Sequence, residues 1–400
     1  MRVAIVAYID LDYGMGATRR VTMLANGLRS AGLEVILVGA VGVGSDFDSG
    51  DGGRIAEEHR GRAGGSVPRG ALARRVAAYQ ELKALLRRGL DWVLFYNLGA
   101  DVIPFVVAAR LHGAFVITDT CDLRRGWSAA HPRQVAEAMS YWAADRTVKP
   151  HADLNIVVSR YLKTVVERHA PTVPIFRLPA LVDLSVFARR NEAGRAFRQQ
   201  WSLGEQPVIM YMGGTQRFEG LADLFAAASI LRRQGRTFRL VVGGEVVRSP
   251  FHDNAEHLAE TLELRAHVRC LGRLNLPGLV AALSAADVLV VPKRNEKANI
   301  AGFPQKLAEY LAVGRPVVAT PVGDIPLYLR DRENALLCEA NEPASLATTL
   351  DEVIRERERF EAIGIEGRKV AETVFDLRVQ GRRLEETLVA LRHGNREPRP

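Results

Sequence analysis

The 400-residue chain contains three cysteines, Cys121, Cys270 and Cys338, far apart and none in a CxxC pair. That spacing argues against a disulfide framework or a cysteine-based zinc site, and suits three small apolar residues in a reducing compartment. Long apolar runs are missing too. No window reaches the ~18 uninterrupted apolar residues of a bilayer-spanning helix. Met1–Tyr8 lacks a long apolar run and a small-residue cleavage site, so it reads as a first strand and not a signal peptide. The expectation is a soluble, cytoplasmic protein or one bound peripherally to a membrane. The net charge of +8 is spread as arginine pairs, with no Lys/Arg block, RNA-binding aromatic motif or zinc-finger spacing, which argues against nucleic acid as a partner. A basic surface of this kind suits nucleotide phosphates, lipid phosphates or acidic membranes. No paired-aspartate metal motif stands out, and neither a metal nor another cofactor is expected.

What is present fits an ordinary globular protein: 48% apolar and 25% charged residues, in a length that suits two domains of about 200 residues each. Short apolar, β-branched runs at 3–7, 34–38, 92–96, 115–118, 154–158 and 175–178 alternate with helical patterns at 18–30, 70–88, 101–112, 132–149 and 160–169. After a polar, mixed stretch at 183–206, suited to a linker or peripheral helix, the alternation restarts. Strands are expected at 208–212, 239–242, 268–271, 288–291 and 316–319, with helices at 221–233, 254–264, 277–285 and 304–313. Strands apolar on both faces and separated by helices predict parallel sheets covered on both sides. The fold class is therefore α/β, with two doubly wound Rossmann-like domains facing each other across a cleft. The first domain is set at 1–185 and the second at 186–375. A last helix at 376–393 is expected to pack back on the first domain, before a disordered tail at 394–400.

In doubly wound sheets ligands bind beyond the carboxyl ends of the strands, so the loops there are searched first. In the segment from Phe303 to Thr320, Pro304 suits a first helical turn and Gly314 the position just past the helix end. Leu307, Tyr310 and Leu311 share the core face, while Lys306 and Glu309 share another. A helix N-terminus favours phosphate, and a carboxylate one turn along can accept both hydroxyls of a ribose. The alternative is a surface glutamate on an amphipathic helix. In the first half, Gly14 and Gly16 precede a helix and let the backbone approach an anion; a dinucleotide fingerprint would need glycine at 19, where Arg19 stands. Asp119 and Asp122 follow the fourth strand, suited either to orienting an acceptor or sugar hydroxyl or to capping a turn.

The stretch from Tyr211 to Asp324 resembles the donor domain of GT-B glycosyltransferases of the family 4 type. Tyr-Met-Gly-Gly at 211–214 resembles its first strand and glycine turn. Leu-Gly-Arg-Leu at 271–274 and Leu-Ser-Ala-Ala-Asp-Val-Leu-Val-Val-Pro at 283–292 follow in order. The stretch from Ala308 to Asp324 matches the close of the signature nearly throughout. Asp153–Ser159 and Leu178–Asp183 resemble first-domain segments of the same family.

The resemblance implies a donor site of Gly14, Gly16, Gly213, Gly214, Arg217, Lys293, Phe303, Pro304, Gln305, Lys306 and Glu309, in which Glu309 holds the ribose. Three family positions are changed. The first glutamate of the paired-glutamate motif falls at Ala301, and Glu296 is the substitute candidate. The family's arginine after the glycine turn falls at Gly214, and its lysine falls at Glu219. Arg217 is the substitute, with Lys293, Arg294 and Lys306 as others. Asp122, Glu296 and Asp119 are the catalytic candidates.

The implied activity is transfer of a sugar from a nucleotide-sugar, UDP-linked by frequency among relatives, to a hydroxyl of a glycan or lipid-linked acceptor. Retention of configuration and independence of metal are implied as well. Arg74, Arg75, Lys83, Arg87 and Arg88 offer peripheral contact with an anionic membrane, or line an ordinary solvent-facing helix. The changed positions also admit an alternative, a catalytically weak nucleotide-binding subunit that supports a partner transferase.

Overall fold

The computed structural model describes residues 1–9, 16–40, 71–97, 99–123, 132–244 and 251–394. They divide into two compact units, one of Met1–Leu181 together with the chain from Leu377 onward, the other Val182–Asp376.

In the first unit, strands β1 (Arg2–Val6), β2 (Glu34–Val38), β3 (Trp92–Tyr96), β4 (Phe115–Thr120), β5 (Leu154–Val157) and β6 (Ile175–Arg177) form one parallel sheet in the order β2-β1-β3-β4-β5-β6. The central strands are apolar on both faces because both are covered: Val3, Ala4 and Ile5 are fully buried, as are Trp92, Val93, Leu94 and Phe95. The Ala71–Arg87 helix turns Ala78, Leu82, Leu85 and Leu86 into this core. Its Arg74, Arg75, Arg87 and Arg88 side are exposed, and Lys83 is half-buried.

The Leu377–Gly394 helix lies on the Gly16–Ser30 helix. Both contact points are glycines: a Cβ at Gly27 would lie 2.5 Å from the Leu377 carbonyl oxygen and 3.5 Å from the Gly381 Cα. Only hydrogen at these positions lets the two backbones touch.

The second unit repeats the plan with β7 (Val208–Met212), β8 (Arg239–Gly243), β9 (Val268–Gly272), β10 (Val288–Val291), β11 (Val317–Ala319) and β12 (Leu336–Leu337), all parallel, in the order β12-β11-β10-β7-β8-β9. Sequence pattern missed the two-residue edge strand β12 and the helices Pro343–Arg355 and Arg357–Val370. The polar stretch at 183–206 holds the Asn191–Gln200 helix, which buries Gly194 and Phe197.

All three cysteines are free. Burial raises each thiol pKa, that of Cys338 to about 12, so none is a thiolate at neutral pH. Among the described residues, no helix is long and apolar enough to cross a membrane. Gly14 and positions 395–400 of the expected tail lie outside the described residues.

Candidate active site

The second sheet reverses direction between β7 and β10. From β7 the chain builds outward through β8 and β9, then returns to lay β10 on the other side of β7. Ligands of open α/β sheets bind at such a reversal, beyond the carboxyl ends of the strands. Here those ends are Met212, leading into Gly213 and Gly214, and Val291, leading into Pro292 and Lys293.

Three elements are tied together at this point. After Gly214 the chain forms a 3-10 turn, Arg217–Glu219, and enters the Leu221–Arg233 helix through Gly220 at φ 80°. A Cβ on Gly220 would overlap the Pro292 carbonyl oxygen. Asn299 Nδ2 donates to the Phe218 and Arg294 carbonyl oxygens (2.6 and 2.7 Å), joining the loops after β7 and β10. The third element is the Gln305–Val313 helix, capped by Pro304 and closed at Gly314 with φ 73°. Its Tyr310 hydroxyl accepts from Met212 N–H at 2.7 Å and donates to the Met212 carbonyl oxygen at 3.0 Å. Helix and glycine turn are thereby held as one piece.

Inside the junction sits a charge cluster. Glu219 is 9% exposed. One of its oxygens is paired with Lys293 Nζ and the other lies 2.7 Å from Lys306 Nζ. Lys306 Nζ also donates to the Tyr211 hydroxyl (2.8 Å), sits 4.1 Å from the Tyr211 ring centroid, and packs directly under Gly213, where any Cβ would strike it. The Tyr211 hydroxyl in turn donates to the Gly214 carbonyl oxygen. Burial alone would raise the Glu219 carboxyl, but Lys293 and Lys306 outweigh it and hold the pKa at about 2. At Lys306 the balance is reversed: burial lowers the ammonium below its ordinary value despite Glu219. Glu219 is thus an anion between two cations, and the buried Glu309 carboxylate one turn along the helix also acts on Lys306.

The structure gathers Gly213, Gly214, Lys293 and Lys306 at this junction. Arg217 is exposed on the turn. Gln305 begins the helix, and Glu309 lies in its second turn, 2% exposed. Phe303 stands against Tyr328 and Phe375, with ring centroids 5.5 and 5.6 Å away. Ala301 is fully buried at the end of the short Lys297–Ala301 helix. Glu296 precedes that helix with its side chain 48% exposed, 3.7 Å from Arg294.

In the first unit Gly16 opens the first helix. Asp119 is 1% exposed. Its oxygens accept from Arg20 Nε and Nη2, both at 2.9 Å, and Arg20 reaches on to the Pro179 and Leu178 carbonyl oxygens. This pair raises the Arg20 pKa although burial opposes it. Asp122 is exposed, with Asn97 Nδ2 at 3.3 Å. Sequence reasoning passed over Glu219 except as a lost lysine, took Tyr310 only as a core-facing residue and Tyr211 only as part of the first strand, and did not single out Arg20. The signal available was a tyrosine closing a buried strand and another on the core face of the signature helix.

A cavity of about 290 Å³ lined by Arg189, Arg195, Arg198 and Arg315 opens near the amino ends of β10 and β11, opposite the carboxyl ends. There Arg198 and Arg315 bond the Ala285 and Ser284 carbonyl oxygens at the end of the Leu276–Ala285 helix (2.9 and 2.5 Å). These arginines complete a helix end and stand apart from the β7–β10 junction. Among the described residues no group of three or more His, Cys, Asp or Glu can hold a metal ion.

The fold and the junction define a class of protein, and comparison with known proteins agrees. Residues 195–370 match the profile of the glycosyl transferases group 1, and residues 15–186 that of glycosyltransferase family 4. The chain belongs to these GT-B glycosyltransferases. It is 28% identical over 305 residues to the GDP-mannose-dependent alpha-(1-6)-phosphatidylinositol monomannoside mannosyltransferase of Mycolicibacterium smegmatis, covering 75% of this chain and 78% of that one. Sucrose-phosphate synthase from Thermosynechococcus elongatus shares the fold at a TM-score of 0.73 and 18% identity, over 98% of this chain and 100% of that one. So does Anabaena HepE, solved in complex with UDP, at 0.69 and 16%, over 98% and 100%.

Proposed function

We propose that this glycosyltransferase moves a sugar from a nucleoside diphosphate sugar to a hydroxyl of a glycan or lipid-linked acceptor, with the diphosphate at the β7–β10 junction. The observation that carries the proposal is the meeting of the Gly213–Gly214 turn, Lys293, Lys306 and the start of the Gln305–Val313 helix at the reversal of the second sheet. Such a site suits a leaving diphosphate. As the glycosidic bond breaks, negative charge grows on the leaving oxygen, and lysines and helix N–H groups already in place stabilise it without reorganising. The remaining task is to hold donor and acceptor together.

In this reading Glu309 accepts the ribose hydroxyls, Phe303, Pro304 and Gln305 shape the entrance to the helix, and Arg217 reaches the phosphates from the exposed turn. Glu296 faces the donor sugar. Asp122 orients the acceptor hydroxyl, while Asp119, with both oxygens on Arg20, fixes the end of β4 that carries Asp122. The reaction retains the anomeric configuration and uses no metal.

Uridine is the base that the family resemblance favours, in keeping with the UDP held by HepE. The mannosyltransferase relative supports a second reading, GDP-mannose. The experiment is release of nucleoside diphosphate from UDP- and GDP-sugars with inositol phospholipid and oligosaccharide acceptors, followed by anomeric analysis of the product. Acceptor-dependent release supports the proposal. Nucleotide binding with no release from any donor would favour the alternative, a nucleotide-binding subunit that supports a partner transferase.

A further inference from the structure

The position where the resemblance leads one to expect a lysine holds Glu219, and this glutamate is neither exposed nor idle. Its two oxygens are divided between Lys293 and Lys306, its turn is fastened to the loop after β10 by Asn299, and the hydroxyl of Tyr211 bridges Lys306 to the glycine turn. A buried carboxylate with two lysines is a costly arrangement unless its geometry is used, because each ion gives up hydration. Apolar side chains of similar volume would fill the same space. The lysines bring what apolar groups cannot: an ammonium seated directly under Gly213, in the space a Cβ would otherwise take, with the Glu309 carboxylate of the same helix also acting on it.

We propose that Glu219 is a positioning residue for the donor diphosphate, holding Lys306 and Lys293 so that the phosphate-binding cation comes from position 306 beneath the glycine turn instead of from position 219. The proposal rests on the donor site described above. Glu219 pairs with both ammonium groups and opposes the burial that works against Lys306. Lys306 presents its ammonium to the diphosphate. The cation has moved from the turn to the helix, and the carboxylate left on the turn is its anchor.

The test compares binding of uridine and guanosine diphosphates with the matching monophosphates, by calorimetry across pH, in the full-length protein and two variants. Lys306→Met leaves Glu219 and Lys293 as a neutral pair and is expected to fold. It should lose roughly tenfold or more in diphosphate affinity, the worth of one charge-assisted hydrogen bond, with much smaller change for the monophosphate. Glu219→Gln keeps the shape and leaves the lysines unanchored. Its diphosphate affinity should fall as pH rises from about 6 to about 9, where the unpaired Lys306 ammonium loses its proton, while the wild type falls less. A carboxylate that only supported the fold would lower both nucleotides equally and leave the pH profile unchanged. If Glu219→Gln does not fold, the Lys306→Met comparison decides alone. Diphosphate binding in the wild type with no loss of diphosphate preference in Lys306→Met would overturn this proposal and leave the donor site standing. No nucleotide binding by the wild type would overturn both.

Discussion

Glu219 shows how one residue couples local chemistry to stability. Its folded pKa of about 2 lies below the ordinary 4.5. The stability it contributes is therefore complete above about pH 4.5 and is lost as pH falls through about 2. Urea denaturation between pH 6 and 2 should show the wild type losing stability on the acid side, by an amount on the order of 3 kcal/mol. In Glu219→Gln that limb should be flattened. An identical acid limb in the variant would show that other carboxylates carry it. The Arg20–Asp119 pair makes a different prediction, because both partners are buried and bidentate. Asp119→Ala strands a guanidinium in the core and should destabilise the first unit by about 3–5 kcal/mol. A change under 1 kcal/mol would mean that Pro179 and Leu178 alone satisfy Arg20.

The elements were largely legible in the sequence where packing and pattern agree. Strands β2, β3, β7 and β10 lie where β-branched runs placed them, since each is buried on both faces and its composition states that directly. The Gln305–Val313 helix was legible through Pro304 and Gly314, which mark its ends by backbone preference alone. Edge strand β12 was not legible, because two residues cannot display a period. The Pro343–Arg355 and Arg357–Val370 helices lie beyond the last strand expected and carry no motif that draws attention.

The charge cluster was half legible. Lys293 and Lys306 stood out as basic residues near the right loops, but nothing in spacing alone says that Glu219 folds back between them. The Gly27–Gly381 contact was illegible for the same reason, since it joins residues 354 positions apart that only the finished fold brings together. It yields an element-scale prediction. Gly381→Leu must push the last helix off the first, and should cost about 1–3 kcal/mol or more by overpacking, measured as urea denaturation of the variant against wild type. An unchanged midpoint would show that the two helices separate freely.

At the scale of the whole molecule, the chain builds one sheet, builds a second on the same plan, and then returns its last helix to the first unit. The proposed donor chemistry is concentrated in the second unit, where the strand reversal, the glycine turn, the paired lysines and the Glu309 helix coincide. Asp122 and the Arg20–Asp119 pair belong to the first. The family's plan is kept, while three of its charged positions are redistributed: an alanine buried at 301, a glycine at 214 and a carboxylate at 219 with lysines on both sides. The account stands on the claim that this altered site still binds a nucleoside diphosphate through the helix bearing Glu309.

Thermal unfolding of the wild type and Glu309→Gln with UDP, GDP, ADP and dTDP tests that claim most directly. At about 100 times its dissociation constant a bound nucleotide adds about 2.7 kcal/mol, several degrees in a domain of this size. The account predicts such a shift with one of these nucleotides in the wild type and its loss in Glu309→Gln. No shift with any of them, or an equal shift in the variant, would contradict it.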